Sequence, residues 1–238
     1  MAFSKEIKKE IEIYCNNHLA DNSWYENEFS FIHDERLKER VIAEFKAIRF
    51  AYKLYEGIEA SQENLMFEVR NQILAYASIY EAVIEYVLIT YYFDTDEFDS
   101  LMHHIVPIKI SIPNDKMSLL QNVLSHDGKE IIPFYYDRRK KEKPQVRFDD
   151  KCRAAERLGI IHKFVNEEGI EIDLPSELIE IYSYRNGIHI IAEQRKGINY
   201  ELELSKKAYR RMRPFIHQVK DKLEQDRRMI NICLYDSL

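Results

Sequence analysis

The segment from Ser61 to Phe93 constrains the fold more than any other part of this 238-residue chain. Its large apolar residues recur every three or four positions, which is the period of an α-helix with one buried side. At 3.6 residues per turn the segment makes about nine turns. The residues on its predicted buried side are Leu65, Val69, Ile73, Tyr76, Tyr80, Ile84, Val87 and Leu88. We therefore predict a mainly α protein in which this segment is a buried helix.

Two carboxylates argue against a membrane span in this segment. Glu81 and Glu85 lie inside its most apolar stretch, residues 73–93, and a charge near the middle of a bilayer is costly. The N-terminal sequence MAFSKEIKKEIEIY is charged throughout and lacks the apolar core of a signal peptide. We therefore expect a cytoplasmic protein without a membrane partner. The net charge of −6 gives no global attraction to nucleic acid, so a nucleic-acid site must be a local basic patch.

The N-terminal sixty residues contain two further helical patterns. Residues 3–19 are amphipathic, and residues 34–57 carry apolar positions at helical spacing. Asp34 is a candidate N-cap of the second helix, and Gly57 marks its end. The aromatic segment WYENEFSFI, residues 24–32, has no clear period.

Residues 94–148 are less regular than the rest of the chain. They contain four of the six prolines, two β-prone pieces, IVPIKISI and EIIPFYY, and one helical candidate, MSLLQNVL. A short helix in DDKCRAAERLGI and a hairpin in IIHKFVNEEGIEI follow. These pieces are too short to build a separate core. We interpret residues from about 94 to 172 as a mixed α/β insertion between core helices.

Two more helices are predicted near the C-terminus. Pro175 fits the first turn of a helix capped by Asp173, which we expect to continue through YSYRNGIHIIAEQ. A loop, RKGIN, precedes a final helix from Ser205 to about Arg228. The predicted fold is a helical bundle, with an N-terminal helical extension in residues 1–60 and a helical domain in residues 61–238 that carries the insertion.

The stretch YSYRNGIHI, residues 182–190, places polar groups on an apolar helix face. Arg185 and His189 are four residues apart, so their side chains point within about 40° of each other. Their neighbours on that face are Leu178, Ile181, Tyr182, Ile188 and Ala192. Solvent-facing charges rarely have such neighbours. The pair is therefore either functional or bonded to partners inside the fold, such as Glu81, Glu85 or backbone carbonyls.

These residues resemble the signature of the HEPN superfamily, a set of helical-bundle proteins that includes many prokaryotic toxin and defence ribonucleases. The signature is an arginine, a following polar residue that is often asparagine, and a histidine about one turn later. The sequence YRNGIHI has Arg185, Asn186 and His189 in that order. The helix LAYASIYEAVIEYVL, residues 74–88, also resembles the earlier core helix of the family, so the resemblance implies a HEPN-like helical bundle.

The resemblance implies a metal-independent endoribonuclease that acts as a toxin or in antiphage defence. In such a reaction the ribose 2′-hydroxyl attacks the adjacent phosphate and leaves a 2′,3′-cyclic phosphate. His189 would transfer protons, Arg185 would hold the phosphate, and Asn186 would orient the phosphate or the imidazole. One histidine cannot be acid and base in one step, so we expect a homodimer whose seam is the apolar face of this helix. RNA and a cognate antitoxin or defence-system partner are the expected partners.

The spacing of the motif leaves a second function open. Three residues separate Arg185 from His189, whereas the family usually has four to six. An offset of four still places both side chains on one face. The same sequence also fits a non-catalytic HEPN-like module that dimerises and binds a nucleotide, RNA or a partner protein.

Two basic clusters are candidates for RNA binding. The run RRKKEK, residues 138–143, adjoins rings that can stack on bases, namely Phe134, Tyr135, Tyr136 and Phe148. The run SKKAYRRMR, residues 205–213, begins the last predicted helix. The candidate RNA ligands are Arg138, Arg139, Lys140, Lys141, Lys206, Lys207, Arg210 and Arg211. A solvated loop and a solvated helix face are the simpler interpretation of such charge runs.

The sequence predicts no metal and no cofactor. His103-His104 and His126-Asp127 are adjacent pairs, and adjacent residues rarely bind one ion. The chain has neither a glycine-rich phosphate loop nor a nucleophile elbow. The cysteines are odd in number and far apart, so we expect free thiols in a reducing compartment; they are Cys15, Cys152 and Cys233.

Overall fold

A computed structural model gives the structure of residues 2–124, 129, 132–142, 145–186 and 200–228. Over these ranges the helices are α1 (Lys5–Asn16), α2 (Asn22–Glu28), α3 (Glu35–Gly57), α4 (Gln62–Tyr91), α5 (Asp96–Met102), α6 (Asn114–Val123), α7 (Phe148–Arg157), α8 (Leu174–Arg185) and α9 (Leu202–Gln225). The strands are β1 (His103–Lys109), β2 (Phe134–Lys140), β3 (Phe164–Val165) and β4 (Glu171–Ile172). The prediction of a mainly α protein is confirmed.

Helix α4 is the element against which the other long helices pack. It contacts α3, α7, α8 and α9. Its predicted buried side is buried, except that Leu65 is partly exposed. By length and composition α4 could also cross a membrane, but half of its most apolar window is buried inside the protein. The same apolar surface therefore serves as the centre of the bundle.

Helices α2 and α3 share the core of the rest of the chain. A single hydrophobic cluster includes Phe45 and Ile48 of α3 together with residues of α4, α7, α8 and α9. The segment without a clear period forms the short helix α2 and the turn that follows it. Most of its apolar side chains are buried, and Tyr25, Phe29 and Ile32 belong to this cluster, whereas Trp24 is exposed.

The region predicted as an insertion contributes to the core at one end and projects at the other. In α7, Phe148, Cys152 and Ala155 are buried against the bundle. The two β-prone pieces pair as an antiparallel ribbon, with His103 opposite Lys140 and Lys109 opposite Phe134. Strand β2 includes the first three residues of the basic run, so these residues lie in a strand rather than in a loop.

Capping side chains position α3 and α8 as the sequence predicts. Asp34 accepts a hydrogen bond from the Leu37 amide at 3.1 Å, and Asp173 accepts one from the Ser176 amide at 3.1 Å. Pro175 lies in the first turn of α8. The predicted continuation of α8 through residues 187–194 lies outside the described residues.

Tyr80 ties α4 to α9 inside the core, which gives a test of this packing. Its hydroxyl donates to the Ala208 carbonyl at 2.7 Å, and its ring meets that of Phe215 edge-on. Burial raises the pKa of Tyr80, so the hydroxyl stays protonated. Tyr80→Phe removes only this hydrogen bond, and we expect urea unfolding to show a loss of about 1 kcal/mol in the free energy of unfolding.

The matched control is Tyr136→Phe on the ribbon, where the side chain is 74% exposed. We expect this change to stay within about 0.5 kcal/mol. Tyr80→Ala, which also opens a cavity, should cost about 3–5 kcal/mol. Equal effects of the two Tyr→Phe changes would contradict the assigned hydrogen bond.

Candidate functional site

Arg185 and Asn186 are the two residues of the arginine motif that the structure describes, and they lie beside a cleft between α4, α7 and α8. The cleft has a volume of about 590 Å³. Its walls carry both signs of charge, with Glu81 and Glu85 from α4 facing Lys151 from α7. Asn186, the residue that follows α8, lines the same cleft and is exposed.

Arg185 is held at this cleft by two residues of its own chain. Its Nη1 group donates to Glu81 Oε2 and, at 2.9 Å, to the hydroxyl of Tyr182. The Tyr182 hydroxyl donates in turn to Glu81 Oε1 at 2.9 Å. The three side chains form a closed hydrogen-bonded triangle between α4 and α8. The sequence left open whether Arg185 has a partner inside the fold, and it does: Glu81.

Tyr182 is shielded from solvent on its ring face. Its ring stacks on Phe148, with centroids 4.2 Å apart and planes 24° from parallel. Burial and the hydrogen bond to Glu81 raise the pKa of Tyr182, so its hydroxyl remains a donor at neutral pH. Phe148 is 3% exposed. The prediction that Phe148 stacks on RNA bases is therefore wrong, because its ring is already packed in the core.

A second ion pair lines the same cleft. Lys151 Nζ lies 2.5 Å from Glu85 Oε2, and the lysine side chain is only 10% exposed. Lys151 was not predicted from the sequence as a site residue. A signal was present, since it lies at helical spacing with Phe148, Cys152 and Ala155 and therefore on the buried face of α7.

The structure describes only some of the residues that the sequence placed on the apolar face around the motif. His189 lies outside the described residues, as do Ile188 and Ala192. Leu178 and Ile181, which the sequence placed on a dimer seam, are 0% exposed and belong to the core of the same chain. At these two positions the apolar face of α8 is covered by the chain itself rather than by a second subunit.

The basic cluster of the ribbon is partly neutralised. Arg138 donates to Asp99, and this hydrogen bond holds the pKa of Asp99 below its usual value. Arg139 Nε lies 3.2 Å from Asp137, and Lys141 Nζ lies 4.0 Å from Asp150. Lys140 is exposed beside them. The exposed rings of Phe134, Tyr135 and Tyr136 accompany these charges on β2.

The predicted RNA ligands in the basic cluster of α9 are paired with carboxylates. Each of its four predicted RNA ligands lies near a carboxylate of α8 or of its own helix. The pairs are Lys206–Glu203 (2.7 Å), Lys207–Glu180 (2.6 Å), Arg210–Glu203 (3.7 Å) and Arg211–Glu177. The pairs of Lys207 and Arg211 join α8 to α9, and all four pairs reduce the field that the cluster presents to an RNA phosphate.

The described residues contain no group of three or more His, Cys, Asp or Glu side chains arranged for a metal ion. His103 contacts Asp99 at 3.1 Å, whereas His126 and Asp127 lie outside the described residues. Cys15 and Cys152 are buried free thiols. Burial raises the pKa of both thiols, which disfavours the reactive thiolate.

No protein family, curated protein or solved structure matched this chain when it was compared with each of them.

The triangle of Glu81, Tyr182 and Arg185 gives a test of its structural role. Arg185→Met leaves a half-buried carboxylate with Tyr182 as its remaining donor, so we expect the free energy of unfolding to fall by about 1–3 kcal/mol. In a double-mutant cycle with Glu81→Gln, the coupling should be about 1 kcal/mol. Chemical denaturation of the four proteins measures it.

The control cycle uses Arg40 and Glu44 on α3, which are 2.7 Å apart with the arginine 75% exposed. Exposed pairs of this kind contribute about 0.3–0.5 kcal/mol. A coupling between Glu81 and Arg185 no larger than this value would show that their ion pair does not stabilise the bundle.

Proposed function

We propose that the protein is a metal-independent endoribonuclease of HEPN type that acts in the cytoplasm as a toxin or defence effector. The observation that carries this proposal is the immobilised guanidinium of Arg185 at the edge of a cleft. Glu81 and Tyr182 both bind its Nη1 group, which fixes its orientation before any ligand arrives. A fixed cation aimed at developing negative charge is what stabilises a phosphorane in the absence of a metal.

The chemistry divides among three residues. Arg185 binds the scissile phosphate through N–H groups other than those that contact Glu81, since a guanidinium has five donors. Asn186, which lines the cleft beside it, orients the phosphate or the imidazole. In the proposed homodimer, His189 of one protomer accepts the proton of the 2′-hydroxyl, and His189 of the second protomer donates a proton to the leaving 5′-oxygen. The cleft volume of about 590 Å³ lies within the range of small-ligand sites.

A second candidate function is a non-catalytic HEPN-like module that dimerises and binds RNA, a nucleotide or a partner protein. The observation that favours it is charge compensation. Glu81 neutralises Arg185, and Glu85 neutralises Lys151 in the same cleft. A site whose cations already have carboxylate partners attracts phosphate weakly.

Cleavage of RNA in the presence of EDTA distinguishes the two candidates. We expect the purified protein to cut single-stranded RNA and to leave 2′,3′-cyclic phosphate and 5′-hydroxyl ends. His189→Ala should reduce the rate by about 100-fold or more, because a general acid–base contributes about 10²–10⁴-fold. The product ends are identified by their reactivity toward a phosphatase and a polynucleotide kinase.

The matched control is His18→Ala, which removes an exposed histidine of the N-terminal region. It should leave the rate unchanged. Cleavage that disappears on chelation, or that persists in His189→Ala, would reject the proposed mechanism. Binding without cleavage in the wild-type protein would favour the non-catalytic module.

The single histidine of the motif also leads us to propose a homodimer with a shared cleft. Light scattering at micromolar concentration should give twice the monomer mass of 28.6 kDa. Ile188→Glu should yield monomers and abolish cleavage together. The control is Ile58→Glu, at a side chain already 60% exposed, which should change neither property. A monomeric wild-type protein that still cuts RNA would contradict the shared site.

A further inference from the structure

A second groove lies between α2, α9 and the turn of the β3–β4 hairpin. Its volume of about 850 Å³ exceeds that of the cleft beside Arg185. One wall carries basic side chains of α9, and the floor carries aromatic rings. The residues that matter for its chemistry are Trp24, Tyr209, Arg210, Arg213 and His217.

A buried carboxylate with an unpartnered oxygen lies behind this wall. Glu28 is the last residue of α2, and its side chain is only 8% exposed. Among the described residues, its Oε2 atom has no hydrogen-bond partner. The imidazole of His217 lies nearby, with Nε2 at 3.7 Å from Glu28 Oε2. Burying a carboxylate without a hydrogen-bond partner is costly, which sets Glu28 apart from the other carboxylates of the described residues.

His217 is also open to solvent. Its side chain is 47% exposed, and it lines the groove as well as a neighbouring cavity of about 320 Å³. Arg213 lies four residues earlier, and therefore one turn away on the same face of α9. Arg213 is exposed, and no carboxylate among the described residues pairs with it. The two side chains together can bind one anion from adjacent turns.

The aromatic part of the groove is open as well. Trp24 is 37% exposed and Tyr209 is 39% exposed. The guanidinium of Arg49 covers the Tyr209 ring at 3.9 Å, so this ring is held in place by a cation–π contact. In single-stranded nucleic-acid sites, planar rings stack on the bases and neighbouring basic side chains bind the phosphates.

We propose that this groove binds a nucleotide, with its phosphate monoester on Arg213 and His217 and its base against Trp24 and Tyr209. Glu167 and Glu168 form the opposite rim. Their charge keeps the phosphate on the α9 side, and their oxygens accept hydrogen bonds from an exocyclic amino group of the base. The nucleotide is either free or the 5′-phosphorylated end of an RNA strand. The site is separate from the α8 motif and does not depend on RNA cleavage there.

Trp24 makes the proposal directly measurable, because it is the only tryptophan of the chain. The intrinsic fluorescence of the full-length protein is titrated with AMP, adenosine, inorganic phosphate and a 5′-phosphorylated trinucleotide. We expect saturable quenching by AMP, weaker binding of adenosine by about tenfold or more, and displacement of AMP by phosphate. Tighter binding of the trinucleotide than of AMP assigns the site to RNA ends, and the reverse order assigns it to free nucleotides.

Three variants complete the test. Arg213→Ala and His217→Asn each remove one proposed phosphate ligand, and each should weaken AMP binding by about tenfold to a hundredfold. Arg40→Ala, at an exposed arginine of α3, should leave it unchanged. Circular dichroism checks that all three variants remain folded. The proposal is overturned if neither AMP nor the trinucleotide quenches saturably, if adenosine binds as well as AMP, or if both groove variants bind like the wild type.

Discussion

The packing of the bundle depends on how one long apolar helix accommodates two carboxylates. Glu81 and Glu85 lie one turn apart on α4 and each needs a cation, because a partly buried carboxylate without one is destabilising. Helix α8 supplies Arg185 to the first and α7 supplies Lys151 to the second. Apolar contacts alone are not directional. We infer that these two ion pairs select the register in which α7 and α8 pack on α4.

Most of the secondary structure could be predicted because its signals are local. The apolar period of α4, the aspartate caps of α3 and α8, and the two β-prone pieces are each contained within a few adjacent residues. Helix α2 was missed because seven residues are too few to display a period, and the burial of Tyr25 depends on packing against α3.

The site was harder to predict than the fold because its contacts are distant in sequence. Arg185 and Glu81 are 104 residues apart, and Lys151 and Glu85 are 66 residues apart. Periodicity marked each of the two glutamates as unusual but could not assign its partner. The same holds for Glu28 on α2 and His217 on α9, which the fold brings within 3.7 Å of each other. The prediction for Phe148 was wrong for a different reason. Its ring follows a basic run in the sequence and was predicted to stack on RNA bases, although it packs in the core.

The triangle between Glu81, Tyr182 and Arg185 has a thermodynamic consequence for any anion that binds there. An anion that draws the guanidinium away from Glu81 leaves a carboxylate that is 27% exposed with one donor fewer. The affinity is then reduced by the free energy of opening the triangle, and the contact between α4 and α8 is weakened in the bound state. Occupancy by such an anion and the docking of α8 are therefore linked, whereas an anion bound through the other N–H groups of Arg185 leaves the triangle intact.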